Sequence, residues 1–403
     1  MHAAAVQMMV ANRVSRSLRT LRRRAASMLS IGLVSMFTLV SLTGCSWGEA
    51  REMEVDPYLL SLEEANEIGM NVVWSSKAAL ATNGRVSDVT VGNDLVLVTE
   101  TGANVVSAID ATNGEPLWEN AVGDPFEPLL GVAMTSDTVV AMTRSEVLQF
   151  DSANGRRLQF DRLSEEGPAD TAPLLNWPFA IYGTTDGRVI FHHLPTGLMK
   201  SAYRFDTEVQ QAPTAWDDLM VVITRDGYIN VLVPDPNRPS RVWQHRVFDN
   251  IKARPATTSR RLIVAGMDRS LWGLDRRTGR IVWRWQTEYQ LTDDPVTYDD
   301  AVVYQGVDNY AFAALDAENG QRIWLNEEVK GGTVLTQIDG HLIIWNRDAD
   351  GIGGTFFRLN ADDGRLVGAV RSRDIAYAVA DAPIDGSIFG VEPRTGRMIK
   401  MSP

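Results

Sequence analysis

The sequence predicts an all-β fold, an eight-bladed β-propeller built from four-stranded antiparallel blades. Three observations carry this. A hairpin signature recurs at a spacing near 41 residues, turn signals divide each unit into four short apolar strands, and no segment beyond residue 70 holds a helical hydrophobic period.

The hairpin is plainest at residues 108–118, where Asp110, Gly114 and Trp118 stand at fixed offsets. It returns in full at 273–283 with Asp275, Gly279 and Trp283, and at 314–324 with Asp316, Gly320 and Trp324. Weaker copies turn at Gly155, Gly197, Gly364 and Gly396, and the copy ending at Trp243 carries Pro234, Pro236 and Pro239 in place of the glycine. The successive glycine gaps are 41, 42, 82, 41, 44 and 32, the 82 spanning two units. Four strands of about six residues with short turns account for that period. The Asp carboxylate is suited to accept turn N–H groups and the Gly to take a positive φ. The Trp falls on the outer strand, where its ring can cover the joint with the next blade.

Two further turn signals complete each unit. Asp186-Gly187, Asp226-Gly227 and Asp385-Gly386 precede one strand; Asp217-Asp218, Asp299-Asp300 and Asp339-Gly340 precede another. Three turns make four strands. Residues 72–403 hold about eight periods. Val72-Val73-Trp74 reads as an outer strand without a blade of its own, and it is predicted to close the ring with the last, short unit; Met398–Met401 is the competing source of that strand.

The N-terminal region differs in composition. Residues 1–44 contain six arginines and no acidic residue, followed from Met28 to Leu42 by an apolar run that is short for a membrane span and suited to a signal-peptide core. The run ends in Leu42-Thr43-Gly44-Cys45, which resembles a bacterial lipobox, where cleavage precedes a lipidated cysteine. Residues 1–44 are therefore read as a lipoprotein signal peptide, and the long stretch before Arg22 leaves the true start codon open. Residues 45–71 are read as a lipidated tether with a short helix, for which Asp56-Pro57 offers a start and Ser61 with Glu64 a capping box. Removing the six arginines takes the net charge from −12 to −18. Such a surface repels nucleic acid and anionic headgroups, so membrane attachment is assigned to the lipid alone. Cys45 is the only cysteine, which leaves no intramolecular disulfide.

The hairpin resembles the tryptophan-docking motif of the quinoprotein alcohol dehydrogenases, and the resemblance covers nearly all of residues 72–403. Two branches share it: the pyrroloquinoline-quinone enzymes, and the BamB family of propeller lipoproteins in the outer-membrane β-barrel assembly machinery. Lipobox, length and N-terminal closing strand are similar to the BamB family, while the vicinal disulfide of the quinone enzymes cannot form here. The resemblance implies a non-enzymatic scaffold without cofactor, lipid-anchored at the periplasmic face of the outer membrane, with a barrel-assembly subunit as partner. Ser46 after Cys45 fits outer-membrane sorting by the same analogy. The family's acidic, Leu/Arg-containing interblade contact loop has no match in residues 248–255, where the acidic pair is missing and Arg254 adds a base, so no contact residue is carried over. The alternative is a quinone- or small-ligand-binding propeller that uses its central channel as an enzyme or sensor.

Other constellations are weaker. His192 and His193 are adjacent on a strand and point to opposite faces, and no histidine has zinc or triad spacing. Asn346, Asp348 and Asp350 resemble the first half of a calcium loop, but Phe357 stands where the bidentate glutamate belongs. Neither calcium nor quinone is expected. Gly331-Gly332 and Gly353-Gly354 read as turn glycines, and Trp177 and Trp285 as packing residues in preference to a partner groove.

Overall fold

In a computed structural model of the chain, which describes residues 59–163, 167–247 and 250–403, the strands form eight four-stranded antiparallel sheets. Blades 1 to 7 follow one another along the chain at 86–121, 129–162, 174–204, 214–246, 256–286, 296–326 and 333–372, each running from its inner to its outer strand. Blade 8 takes three strands from 377–402 and its outer strand from Asn71–Lys77. The inner strands of blades 1 and 2, 2 and 3, and 5 and 6 are in contact, and that of blade 8 touches those of blades 7 and 1.

The ring is closed by the N-terminal strand. Asn71–Lys77 pairs antiparallel with Arg397–Ser402, with a bulge between Val72 and Trp74. Met398 and Met401 thus lie on the third strand of blade 8, not the outer one. This corrects one copy of the repeat: the Glu392–Gly396 turn joins the second and third strands of blade 8, not the third and fourth. Asp385-Gly386, in turn, lies between its first and second strands. The glycine gap of 32 instead of 41 reflects that shift by one strand.

Helix α1 (Leu62–Glu67) precedes the closing strand. Its capping box is formed: Glu64 N–H donates to Ser61 Oγ at 3.2 Å and Ser61 N–H to Glu64 Oε2 at 2.8 Å, which satisfies two of the amides that open a helix. Ala65, Ile68 and Met70 are buried among Trp345, Phe356, Ile375, Ile399 and Met401. Residues 59–70, read from sequence as a tether, are therefore packed into the joint between blades 7 and 8. The reason is topological. Blade 8 has no hairpin between its third and fourth strands, and the chain entering the closing strand occupies that space.

Among the described residues the core is divided into eight hydrophobic clusters, one at each blade joint. The second strands, such as Leu95–Glu100 and Thr138–Thr143, are buried along their whole length, because a blade has a neighbour on each face and both faces must be apolar. The outer strands alternate instead, as in Pro116–Ala121 and Arg157–Arg162.

Candidate functional site

The residues of each hairpin signature act across a joint, not within one blade. Asp110 accepts from the Thr112 and Asn113 amides at 2.7 and 3.3 Å, and the Thr112 contacts hold its carboxyl below the usual range. Asp275 accepts from the Thr278 amide at 2.9 Å, and Asp316 from the Glu318 and Asn319 amides at 2.8 and 3.0 Å. The turn so held presents its glycine to the tryptophan of the preceding blade. A Cβ on Gly320 (φ +70°) would lie 2.6 Å from the Trp283 ring, and one on Gly114 (φ +78°) 2.7 Å from Trp74. Only glycine allows both the left-handed backbone and the flat ring contact. Each indole N–H then donates to a turn carbonyl: Trp118 to Ser152 at 2.8 Å, Trp283 to Ala317 at 2.9 Å, Trp324 to Ala361 at 2.9 Å. Trp243 does the same with Arg276 and seats on Gly279.

Three joints depart from this scheme. Between blades 2 and 3, Gln159 takes the tryptophan position and donates to the Leu194 carbonyl at 2.7 Å, while Asp161 lies over Gly197 and faces buried His192 at 3.3 Å. Burial keeps His192 below its ordinary pKa against the opposing pull of Asp161. Between blades 7 and 8, Gly368 takes the position, and the backbone of α1 at Glu67 fills the space. Between blades 3 and 4, Ser201 faces a turn without glycine.

At the channel mouth, on the face where outer strands cross to the next inner strand, acidic groups gather that sequence reading did not single out. A hollow of about 370 Å3 is lined by Asp88, Asp293, Asp308, Arg347 and Tyr377, among others. Burial, reinforced by Asp308, pushes the Asp293 carboxyl up to about 6, although it accepts the Gly332 amide at 2.7 Å. Asp294 and Asp88 are raised by burial and partly relieved by the Arg254 charge, and the Arg254 amide donates to Asp294 at 2.7 Å. Pro255 and Pro295 mark equivalent entries into inner strands, so the period places Arg254 and Asp294 in the same position of adjoining units. That alignment was the available signal.

The remaining candidates are separate. Asn346 donates to the Lys330 carbonyl at 2.8 Å, Asp348 pairs with Arg371 at 3.0 Å, and Asp350 accepts the Ile352 amide at 2.9 Å. Among the described residues no three His, Cys, Asp or Glu side chains are placed to hold a metal ion. Trp285 is half-buried against the joint of blades 5 and 6, whereas Trp177 stands exposed, contrary to the packing role read for it. The signal region (residues 1–44), Cys45 and the tether as far as residue 58, with Asp56-Pro57, lie outside the described residues.

The family model described as outer membrane protein assembly factor BamB matches residues 70–199 and 225–401. The chain belongs to the BamB family. BamB of Burkholderia pseudomallei (strain K96243) is 24% identical over 350 residues, covering 80% of this chain and 88% of that protein. The crystal structure of BamB from Moraxella catarrhalis superposes with a TM-score of 0.64 at 18% identity, over 83% of this chain and 98% of that one. The computationally designed Ika8 protein gives a TM-score of 0.65 at 14% identity, over 81% and 99%. A designed ring and a natural BamB thus fit the backbone equally well, so the superposition shows the fold alone. The stretch expected to match the BamB contact loop has Ile251 and Ala253 buried in the neighbouring joints, with Arg254 turned to the acidic mouth.

Proposed function

We propose that this chain is a non-enzymatic scaffold of outer-membrane β-barrel assembly, anchored by lipid at Cys45 on the periplasmic face, with a barrel-assembly subunit as its partner. The observation that carries the reading is the extent of the family match, which reaches from the closing strand to the third strand of blade 8 with one gap at residues 200–224. Short loops on a rigid body provide a pre-organised docking face for another protein. The scaffold requires neither calcium nor pyrroloquinoline quinone, and the side chains of the calcium-like loop already have separate protein partners. Nucleic acid is disfavoured by the negative charge of the chain.

The test is affinity recovery of the full-length lipidated protein from membranes of its own organism. Co-recovery of the barrel-forming subunit is the expected result, lost when Cys45→Ala releases the protein from the membrane. Recovery of no barrel-assembly component would remove the assignment and leave the fold untouched.

A further inference from the structure

The joint between blades 5 and 6 departs from the scheme beside its docked tryptophan. In three latched joints the residue two positions after the docking tryptophan bonds the glycine carbonyl of the next turn. Ser76 donates to Gly114 at 2.6 Å, Asn120 to Gly155 at 2.7 Å and Asn326 to Gly364 at 2.8 Å. After Trp283 that position holds Trp285. Its ring is half-buried against the hydrophobic cluster of the joint, and its indole N–H donates to no group among the described residues. Trp283 already closes the joint through Gly320 and Ala317, so the latch does not require a second indole.

Trp285 instead lines a hollow of about 550 Å3, together with Gln286, Thr287, Glu288, Tyr310 and Arg322. That volume falls within the roughly 300–1,000 Å3 of small-ligand sites. Tyr310 is half-buried and is held by Tyr289, whose ring stacks on it with centroids 5.6 Å apart and planes at 19°. Around these rings stand three uncommitted polar side chains. Gln286, Glu288 and Arg322 are exposed, and none of the three side chains makes a hydrogen bond or ion pair among the described residues. Arg284, on the same outer strand, shows the contrast: it bonds Ser270 at 2.9 Å, faces Asp268 at 3.6 Å and lies over the Trp272 ring.

We propose that this hollow binds a neutral saccharide. The C–H face of a sugar ring is apolar and weakly positive, and it stacks on the negative face of an indole or phenol ring. The hydroxyls at the rim of the sugar each donate and accept, and they need partners of both kinds. Gln286 offers a donor and an acceptor side by side, Glu288 two acceptors and Arg322 a planar fork of donors. The carboxylate and guanidinium charges offset one another, which favours a neutral ligand over an ion. A proline-rich peptide would use the rings and leave the three polar side chains idle. The site is separate from the scaffold reading and does not rest on it.

The experiment titrates the purified full chain with tri-N-acetylchitotriose, cellotriose and maltotriose in turn, followed by calorimetry and by saturation-transfer difference NMR. Saturable binding of at least one trisaccharide is expected, with transfer strongest to the C–H protons of one ring face. Trp285→Leu, which keeps an apolar side chain against the joint, should weaken it roughly tenfold or more. Arg322→Gln and Glu288→Gln, both at exposed positions, should each weaken it about threefold to tenfold with unchanged melting. Because the fold does not depend on those two side chains, they keep the test decisive if Trp285→Leu proves unstable. No saturation by any of the three sugars up to about 10 mM, or wild-type affinity in both Arg322→Gln and Glu288→Gln, would overturn the proposal. Saturable binding of a capped octaproline without sugar binding would assign the rings to a polypeptide and also overturn it.

Discussion

Trp283→Ala tests whether the docked indoles hold the ring together. The side chain is 6% exposed, lies across Gly273 of its own blade and Gly320 of the next, and donates to Ala317 at 2.9 Å. A buried Trp removes about 200 Å2 from water, which at ~25 cal/mol/Å2 corresponds to about 5 kcal/mol as an upper figure. The hydrogen bond adds about 1 kcal/mol, and partial collapse of the cavity lowers the loss to the ~3–5 kcal/mol typical of Trp→Ala. With a urea m-value of about 3 kcal/mol/M, the midpoint followed by far-ultraviolet circular dichroism should fall by about 1 M or more. Trp283→Phe keeps a ring over Gly320 and should lose less than half of that. Gly320→Ala attacks the same contact from the other side, through a Cβ 2.6 Å from the indole and a positive φ. Ser201→Ala, at the unlatched joint, should shift the midpoint little or raise it. A Trp283→Ala midpoint within about 0.2 M of wild type at unchanged m would refute the docking argument.

Asp293 gives a pH-dependent expectation. Its folded pKa of about 6 lies above the ordinary 3.8, so the folded state binds the extra proton more tightly and loses stability as pH rises between about 4 and 6. Asp293→Asn, which retains an acceptor for the Gly332 amide, should be more stable than wild type at pH 7.5 by about 1–3 kcal/mol and show little gain at pH 4; equal gains at both pH values would exclude the titration as the cause. Deleting residues 71–75 removes the pairing with Arg397–Ser402 and the Trp74 contact on Gly114, and should lower Tm by roughly 5–10 °C; an unchanged Tm would mean that the closing strand contributes nothing to the ring. Calorimetric titration with millimolar calcium should release no heat attributable to the 346–354 loop, and a heat abolished by Asp348→Asn would revise that reading.

Much of the ring was legible because it is repetitive. A signature seen at 108–118, 273–283 and 314–324 averages out local ambiguity, and each part has a local cause: turn amides for the Asp, positive φ for the Gly, outer-strand placement for the Trp. The last unit was misassigned at Gly396 because its turn chemistry, an acidic residue followed four positions later by glycine, suits either hairpin of a blade. The Asp293 mouth escaped notice because its residues are scattered between positions 88 and 308 and converge only at the channel axis.

By itself the sequence determined the blade: four strands, their turns and a period near 41 residues, all set by interactions within a few residues of one another. The docking signature pointed to two branches that share it, and the family model matching residues 70–199 and 225–401 decided between them. The tertiary structure decided what happens between blades. It showed that each tryptophan seats on the glycine of the next hairpin, that Asn71–Lys77 and not Met398–Met401 is the outer strand of blade 8, that α1 fills the joint left without a hairpin, and that one seam is unlatched. Those are contacts between residues about 35 to more than 300 positions apart. Their energies depend on which surfaces ring closure brings together, and no local pattern of letters records that.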